Sequence, residues 1–186
     1  METYQYLIAV GGGFLAGILN AIAGFGSVVT LSIMIEFMGM PANLANGTNR
    51  INMFTQTSMS SLAYFRQGKL NFSKCKLAVI LSFVGAMFGV ILALNISNEA
   101  FKEVFRYLLI VMFLAVLVNP KRWIHETDPD FKMSRWISVP LFLLLGFYGG
   151  FIQMGMGLFT LIVLVLIAKF NLVEANAIKV FIIALY

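Results

Sequence analysis

The sequence predicts an all-α polytopic membrane protein built from two repeats, each of which opens with a glycine-interrupted transmembrane helix. The 186 residues are 60% hydrophobic and 11% charged, with a mean hydropathy of +0.91, which is typical of an integral membrane protein. Two runs, 3–35 and 136–168, contain no charged residue. Each is about 33 residues long, whereas roughly 20 apolar residues suffice to cross a bilayer.

The first run is interrupted near its middle, where Asn20, Gly24 and Gly26 weaken a continuous helix. A straight helix of about 33 residues would be roughly 50 Å long, against a hydrocarbon core about 30 Å thick. We therefore expect a break at 23–27, with unwound backbone near the middle of the membrane. Such backbone is tolerated only inside protein or facing a cavity, so the break is a candidate binding site.

The second run has the same design. Gly155 and Gly157 are spaced as Gly24 and Gly26 are, and Gln153 precedes them much as an asparagine precedes the first pair. The two copies are offset by about 131 positions, with a slip of about one residue, which indicates an internal repeat.

An Ala-Asn pair follows each glycine pair after about 20 residues, and paired interruptions of this kind point to the binding site of a transporter. The pairs contain Asn46 and Asn176, and each is followed closely by a cation, Arg50 or Lys179. A cation in a membrane segment costs at least about 2.5–3.5 kcal/mol on insertion scales. Either the two cations attract an anion, or each reaches the headgroups from near a helix end.

The remaining apolar stretches complete the predicted topology. Basic loops at 66–76 and 120–135 are assigned to the cytoplasm, and the loop at 95–103 to the outside. The predicted spans are 6–37, 43–65, 77–94, 104–118, 136–168 and 173–186. The predicted organisation is a first transmembrane repeat at 1–119, a cytoplasmic linker loop at 120–135 and a second transmembrane repeat at 136–186. The last span is only about 14 residues, short of a full crossing, so we expect the second repeat to be incomplete.

The orientation of the repeats depends on the two interrupted runs. If each run crosses the membrane once, the repeats are parallel and the N-terminus is cytoplasmic. If each run dips in and returns, the number of crossings per repeat is odd, the repeats are inverted and the N-terminus is external. The charge pattern fits both arrangements.

Four stretches together resemble the sulfite exporter TauE/SafE family, also called the TSUP family. They are GILNAIAGFG at 17–26, PANLANGTNRIN at 41–52, GFYGGFIQMGMG at 146–157 and NLVEANAIKVF at 171–181. The resemblance implies a polytopic membrane protein of two repeats that moves small anions, chiefly sulfite, sulfonates and related organosulfur acids. Arg50 stands where lysine is common in that family, and Ser32 where proline is common.

The candidate substrate site combines the two interruptions with the polar helices that follow them. The glycines either present backbone N–H groups to an oxyanion or serve helix packing. The amides either bond substrate or cap freed backbone groups, and Thr48 and Asn49 either line the cavity or bond between helices. The substrate-binding candidates are Asn20, Gly24, Gly26, Asn46, Thr48, Asn49, Arg50, Gln153, Gly155, Gly157, Asn176 and Lys179.

These patterns favour a secondary carrier or facilitator of small anions in the cell membrane, driven by membrane potential or proton coupling. The alternative is a non-transport assembly or scaffold subunit that binds partners through small-residue helix faces such as Gly85-x-x-x-Gly89. An enzyme is not expected, because the sequence shows no catalytic constellation, metal-ligand cluster or phosphate loop. We expect no cofactor and no nucleic acid. The expected partners are a small anionic substrate and the lipid bilayer, and no particular oligomeric state is indicated.

Overall fold

The computed structural model describes residues 3–117 and 133–186, and within those ranges it contains helices and no strand. The prediction of an all-helical chain is confirmed for them. Most of the predicted linker loop at 120–135, including its basic residues up to Lys132, lies outside the described residues. The helices are α1 (Thr3–Ala23), α2 (Gly26–Ser32), α3 (Ala42–Arg66), α4 (Phe72–Asn95), α5 (Asn98–Leu117), α6 (Arg135–Phe151), α7 (Met156–Ile162) and α8 (Leu172–Ala184).

Two short interruptions separate α1 from α2 and α6 from α7. In the first, Gly24 has a φ of 76°, and in the second Gly155 has a φ of 63°. These left-handed conformations are easily adopted only by glycine. Gln153 also lies in the second interruption with a φ of 56°, which is a strained conformation for a residue with a side chain.

The first interruption turns the chain back on itself. A Cβ added to Gly12 would lie 3.5 Å from Cγ1 of Ile33, and one added to Gly26 would lie 3.1 Å from the carbonyl carbon of Ala16. In a straight helix, residues 12 and 33 would be roughly 30 Å apart. The run at 3–35 is therefore a helical hairpin. Of the two arrangements that the sequence leaves open, this hairpin fits the one in which the run dips in and returns.

The second interruption is stabilised by Tyr148 near the end of α6. Its hydroxyl donates to the carbonyl of Met154 at 2.5 Å, and its ring meets the ring of Phe159 edge-on with centroids 5.3 Å apart. These contacts fold α7 back against the end of α6.

The elements that follow the two interruptions occur in the same order. Helices α2 and α7 begin 130 positions apart, and each continues into a π-helical turn, Ile33–Phe37 or Val163–Ile167. Helices α3 and α8 also begin 130 positions apart. Pro41 stands at the N-cap of α3, and the Asn171 side chain caps α8 by accepting from the Glu174 N–H at 2.8 Å.

Helices α4 and α6 pack backbone against backbone. A Cβ added to Gly85 would lie 2.9 Å from the amide nitrogen of Phe147, and one added to Gly150 would lie 2.6 Å from Cα of Ala86. Residues later in α4 contact residues later in α6, so the two helices run parallel. Glycine at these positions permits the close approach that small-residue motifs allow in membrane proteins.

The polarity of the fold is that of a protein in lipid. Large apolar side chains lie on its outer surface, including Val10 at 74% exposure and Leu94 at 80%, while a set of polar side chains is buried in the interior. In the described part of the chain, one helix, Cys75–Asn95, is long and apolar enough to cross a bilayer on its own. Shorter apolar helices form the hairpin arms, and these are Val10–Ala21, Gly26–Phe37, Arg135–Phe151 and Met156–Ile167.

Candidate functional site

The two interruptions touch each other in the interior of the fold. A Cβ added to Gly24 would lie 2.6 Å from Cα of Gly157, and one added to Gly157 would lie 2.5 Å from Cα of Gly24. Only glycine at both positions allows the two backbones to come this close. The other two glycines have different neighbours, because Gly26 packs on α1 and Gly155 faces the side chain of Met112.

Ser27, the second residue of α2, bonds directly to the second interruption. Its hydroxyl donates to the carbonyl of Gln153 at 3.1 Å and accepts from the N–H of Gly155 at 3.0 Å. One buried side chain thus satisfies two backbone groups that the break between α6 and α7 has freed from helical hydrogen bonding.

Helix α3 extends this network. The Thr30 hydroxyl, one turn after Ser27, donates to Oδ1 of Asn49 at 2.7 Å, and Nδ2 of Asn46 donates to the carbonyl of Phe151 at 3.1 Å. The bonds close a circuit through α2, α3 and the second interruption, which we call the polar ring. Its side chains are at most 7% exposed, and they belong to Ser27, Thr30, Asn46, Asn49 and Gln153.

Arg50 lies one turn beyond Asn46 and bonds to the end of α6. Its guanidinium donates to the carbonyl of Gly150, to that of Phe151 at 3.4 Å and to that of Tyr186 at 3.3 Å. The last carbonyls of a helix lack intrahelical partners and carry partial negative charge. Arg50 therefore caps α6 beside the second interruption, and part of its donor capacity is already used.

Lys179, in the corresponding part of α8, is 2% exposed. Its ammonium donates to Oδ1 of Asn176 at 2.7 Å, and Nδ2 of Asn176 in turn donates to the carbonyl of Leu172 in its own helix. No carboxylate in the described ranges lies within 4.0 Å of this ammonium. A buried ammonium with three donors and one neutral partner lacks a counter-charge, which an anion would supply.

The side chains of Asn20 and Thr48, two further sequence candidates, make their hydrogen bonds outside the polar ring. Asn20 donates through Nδ2 to Oε1 of Gln56 at 2.7 Å, and Gln56 donates to the carbonyl of Gly17 at 3.1 Å, so this group ties α1 to α3. The Thr48 hydroxyl donates to the carbonyl of Leu44 at 2.9 Å, which is a bond within its own helix.

Neither Thr30 nor Ser27 is among the substrate-binding candidates that the sequence predicts. A signal for Thr30 was available, because Thr30 and Thr160 each stand four positions after the start of a half-helix and both are buried. The Thr160 hydroxyl donates to the carbonyl of Met156 at 2.8 Å, within its own helix, whereas that of Thr30 donates to Asn49 in α3. Across the described residues, no group of three or more His, Cys, Asp or Glu side chains could hold a metal ion.

The family model of the sulfite exporter TauE/SafE proteins matches residues 9–186. The chain belongs to the TauE/SafE family. Several curated relatives are named as probable membrane transporter proteins. One, from Haemophilus influenzae, is 32% identical over 166 residues, which cover 89% of this chain and 64% of the relative. The probable membrane transporter proteins ORF9 of a Sinorhizobium species and YfcA of Escherichia coli are each 28% identical, over 88% and 95% of this chain.

The chain spans about two thirds of the length of these relatives, from 62% for ORF9 to 68% for YfcA. No solved structure matches it. Family membership confirms the resemblance carried by the four sequence stretches and makes this chain a membrane protein.

Proposed function

We propose that this chain forms the substrate-binding core of a secondary carrier or facilitator of small anions in the cell membrane, with sulfite, sulfonates and related organosulfur acids as the substrate class. The observation that carries the proposal is the contact of Gly24 with Gly157, where two helix interruptions meet beside the buried polar ring. Interrupted helices that meet inside a membrane protein are typical of secondary transporters.

The proposed topology is that of two inverted repeats, each opening with a re-entrant hairpin. Hairpin arm Gly26–Phe37 has 12 residues by its bounds and is about 18 Å long, which reaches only part of the way through a core about 30 Å thick. Two hairpins that enter from opposite faces would therefore meet near the middle. With the loop at 66–76 in the cytoplasm, this arrangement puts the N-terminus outside.

The proposed attraction for anions comes from Lys179 and from the N–H groups and hydroxyls around the interruptions. Lys179 has no counter-charge among the described residues, so an anion bound near it would relieve an unfavourable buried charge. Arg50 supports the site by holding the end of α6 in place. Outward movement of an anion is favoured by an inside-negative potential, by about 2.3 kcal/mol per charge per 100 mV.

The relatives favour this function over a scaffold role, since they are named as probable membrane transporters. A scaffold subunit needs neither a buried ammonium nor a pair of touching interruptions. It would use the glycine face of α4, but that face is already occupied by α6.

The proposal is tested by thermal unfolding of the detergent-purified chain with sulfite, sulfate, thiosulfate, alkyl sulfonates or chloride at constant ionic strength. A ligand at 100 times its Kd stabilises the folded state by about 2.7 kcal/mol. We expect a selective rise with sulfite or a sulfonate that Lys179→Gln loses and that Lys76→Gln, which removes an exposed lysine, retains. An unselective response to every anion, or no response in a folded protein, would refute the proposal.

A further inference from the structure

An apolar groove opens on the side of the fold where the end of α3, the start of α4 and the end of α8 meet. Its volume is about 380 Å³, and its polar lining residues are Ser58 and Ser61. The large apolar side chains that line it belong to Leu62, Phe65, Leu70, Phe72, Phe181 and Leu185. The lining residues of α3 cover about two turns, so the groove extends roughly 10 Å along that helix. A groove of this length with no charged lining residue suits a hydrocarbon chain.

Three phenylalanine rings form one wall of the groove. The ring centroids of Phe65 and Phe72 are 5.7 Å apart, and those of Phe72 and Phe181 are 5.1 Å apart. Aromatic pairs attract each other at such separations, so the rings hold one another in place. Phe65 and Phe72 are nevertheless exposed. The wall is therefore ordered and still presents apolar surface to its surroundings.

Two cations lie beside this groove, in the turn that joins α3 to α4. Arg66 directly follows Phe65, and Lys69 directly precedes Leu70, so each cation is next to a lining residue. Both cations are exposed, and neither makes an ion pair within the part of the chain that the structure describes. The stretch 66–76 also contains no acidic residue. The positive charge at this end of the groove is therefore not neutralised by a neighbouring acid.

The turn that carries the two cations is ordered by Gly68, which has a φ of 67°. The Gly68 N–H donates to the carbonyl of Phe65 at 3.0 Å, and the Lys69 N–H donates to the carbonyl of Tyr64 at 3.0 Å. This pair of hydrogen bonds is the Schellman motif, which ends a helix with a left-handed glycine. The motif fixes the backbone of Arg66 and Lys69 relative to the wall of the groove.

We infer that the groove binds one acyl chain of an anionic phospholipid, whose phosphate bonds to Arg66 and Lys69. The loop at 66–76 is predicted to lie in the cytoplasm, and anionic lipids give the cytoplasmic leaflet its negative surface charge. Basic pockets beside membrane helices on that side bind lipid headgroups. The lipid site is apart from the polar ring, and the inference does not depend on which substrate the protein carries.

Three probes test the inference by thermal unfolding of the detergent-purified chain at constant ionic strength. Dioleoyl phosphatidylglycerol and dioleoyl phosphatidylcholine have the same acyl chains, but only the first has a net negative charge. Glycerol 3-phosphate carries the charge without the chains. Each lysine or arginine near an anionic lipid is worth about fivefold in affinity. We expect phosphatidylglycerol to bind at least about tenfold more tightly than phosphatidylcholine, and glycerol 3-phosphate to give no stabilisation.

A pair of double variants assigns the charge preference. Arg66→Gln combined with Lys69→Gln should reduce the preference for phosphatidylglycerol to about threefold or less, because both headgroup contacts are lost. The control combines Lys102→Gln with Arg106→Gln, which removes the same two charges from α5, beyond the opposite end of α4. This control should retain the preference of the wild type.

A second pair of variants assigns the acyl chain to the groove. Ser58→Phe places a ring on a lining residue and should weaken the binding of phosphatidylglycerol about tenfold, because the ring occupies the space of the chain. The control is Thr55→Phe, at an exposed position of α3 that does not line the groove, and it should bind as the wild type does.

Each contrary outcome overturns a different part of the inference. Equal binding of the two phospholipids would refute the anionic preference, and a preference that survives in the Arg66 and Lys69 double variant would refute its assignment to these cations. Stabilisation by glycerol 3-phosphate as strong as that by phosphatidylglycerol, or equal binding by the Ser58 and Thr55 variants, would refute the role of the groove. None of these outcomes bears on the anion-carrier proposal.

Discussion

Replacing Gly24 with alanine tests whether the two interruptions touch. The new methyl group would lie 2.6 Å from Cα of Gly157 and 2.6 Å from the amide nitrogen of Leu158, and both neighbours are backbone atoms that cannot rotate away. Gly24 also has a φ of 76°, which alanine adopts with strain. The substitution therefore combines a backbone penalty with a steric clash.

The two effects can be separated because the chain offers a matched control. Gly39 has a φ of 64°, but a Cβ there would meet nothing within 4 Å. Gly39→Ala should therefore show the left-handed penalty alone, about 1–2 kcal/mol. Carbon atoms pack at roughly 3.5–4.0 Å, so Gly24→Ala must also displace the facing backbone by about 1 Å, and overpacking adds about 1–3 kcal/mol. The expected total for Gly24→Ala is about 2–5 kcal/mol.

The assay is SDS-induced unfolding in mixed micelles, followed by circular dichroism, for wild type and both variants. Both alanine variants carry the cost of a left-handed backbone. The difference between their free energies of unfolding therefore reports the contact between the interruptions. If Gly24→Ala destabilises the protein no more than Gly39→Ala does, the interruptions do not touch and the arrangement of the site is wrong.

Two further predictions use the same assay. Ser27→Ala should destabilise the fold by about 1–3 kcal/mol, because it leaves the Gly155 N–H buried without a partner. Ser60→Ala removes a bond within its own helix and should have a smaller effect. Equal effects of the two substitutions would argue against the link between α2 and the second interruption. Gly85→Ala should destabilise the folded protein by about 1–3 kcal/mol, because the added methyl group would meet the backbone of α6. Gly47→Ala, at an open position in α3, should be neutral or should stabilise the protein by about 0.5–1 kcal/mol. A neutral Gly85→Ala would contradict the packing of α4 on α6.

Much of the helical content could be predicted because apolar runs and glycines are local features of a sequence. The expected break at 23–27 coincides with the gap between α1 and α2, while the second gap begins several residues before the Gly155–Gly157 pair on which the prediction centred. Tyr148 accounts for this difference, since its bond to Met154 holds the backbone ahead of the glycines. That bond depends on folded geometry, which spacing does not reveal.

The sequence alone could not predict the hairpins over the alternative arrangement, and it could not predict the polar ring. A run of about 33 residues is compatible with a broken crossing and with a hairpin, and the hairpin becomes evident from the contacts of Gly12 with Ile33 and of Gly26 with Ala16. Serine and threonine in a membrane helix usually bond to their own backbone, as Thr48 does. Nothing local distinguishes Ser27, whose partners are 126 and 128 positions away.

The most direct test of the anion site is a calorimetric titration of the purified chain with sulfite, at constant ionic strength, for wild type and for Lys179→Met and Lys76→Met. The wild type and Lys76→Met should show saturable binding of the same affinity. Lys179→Met should lose it, because the buried ammonium that lacks a counter-charge has been removed. Equal binding by all three proteins would contradict the account, since the anion would then bind without Lys179.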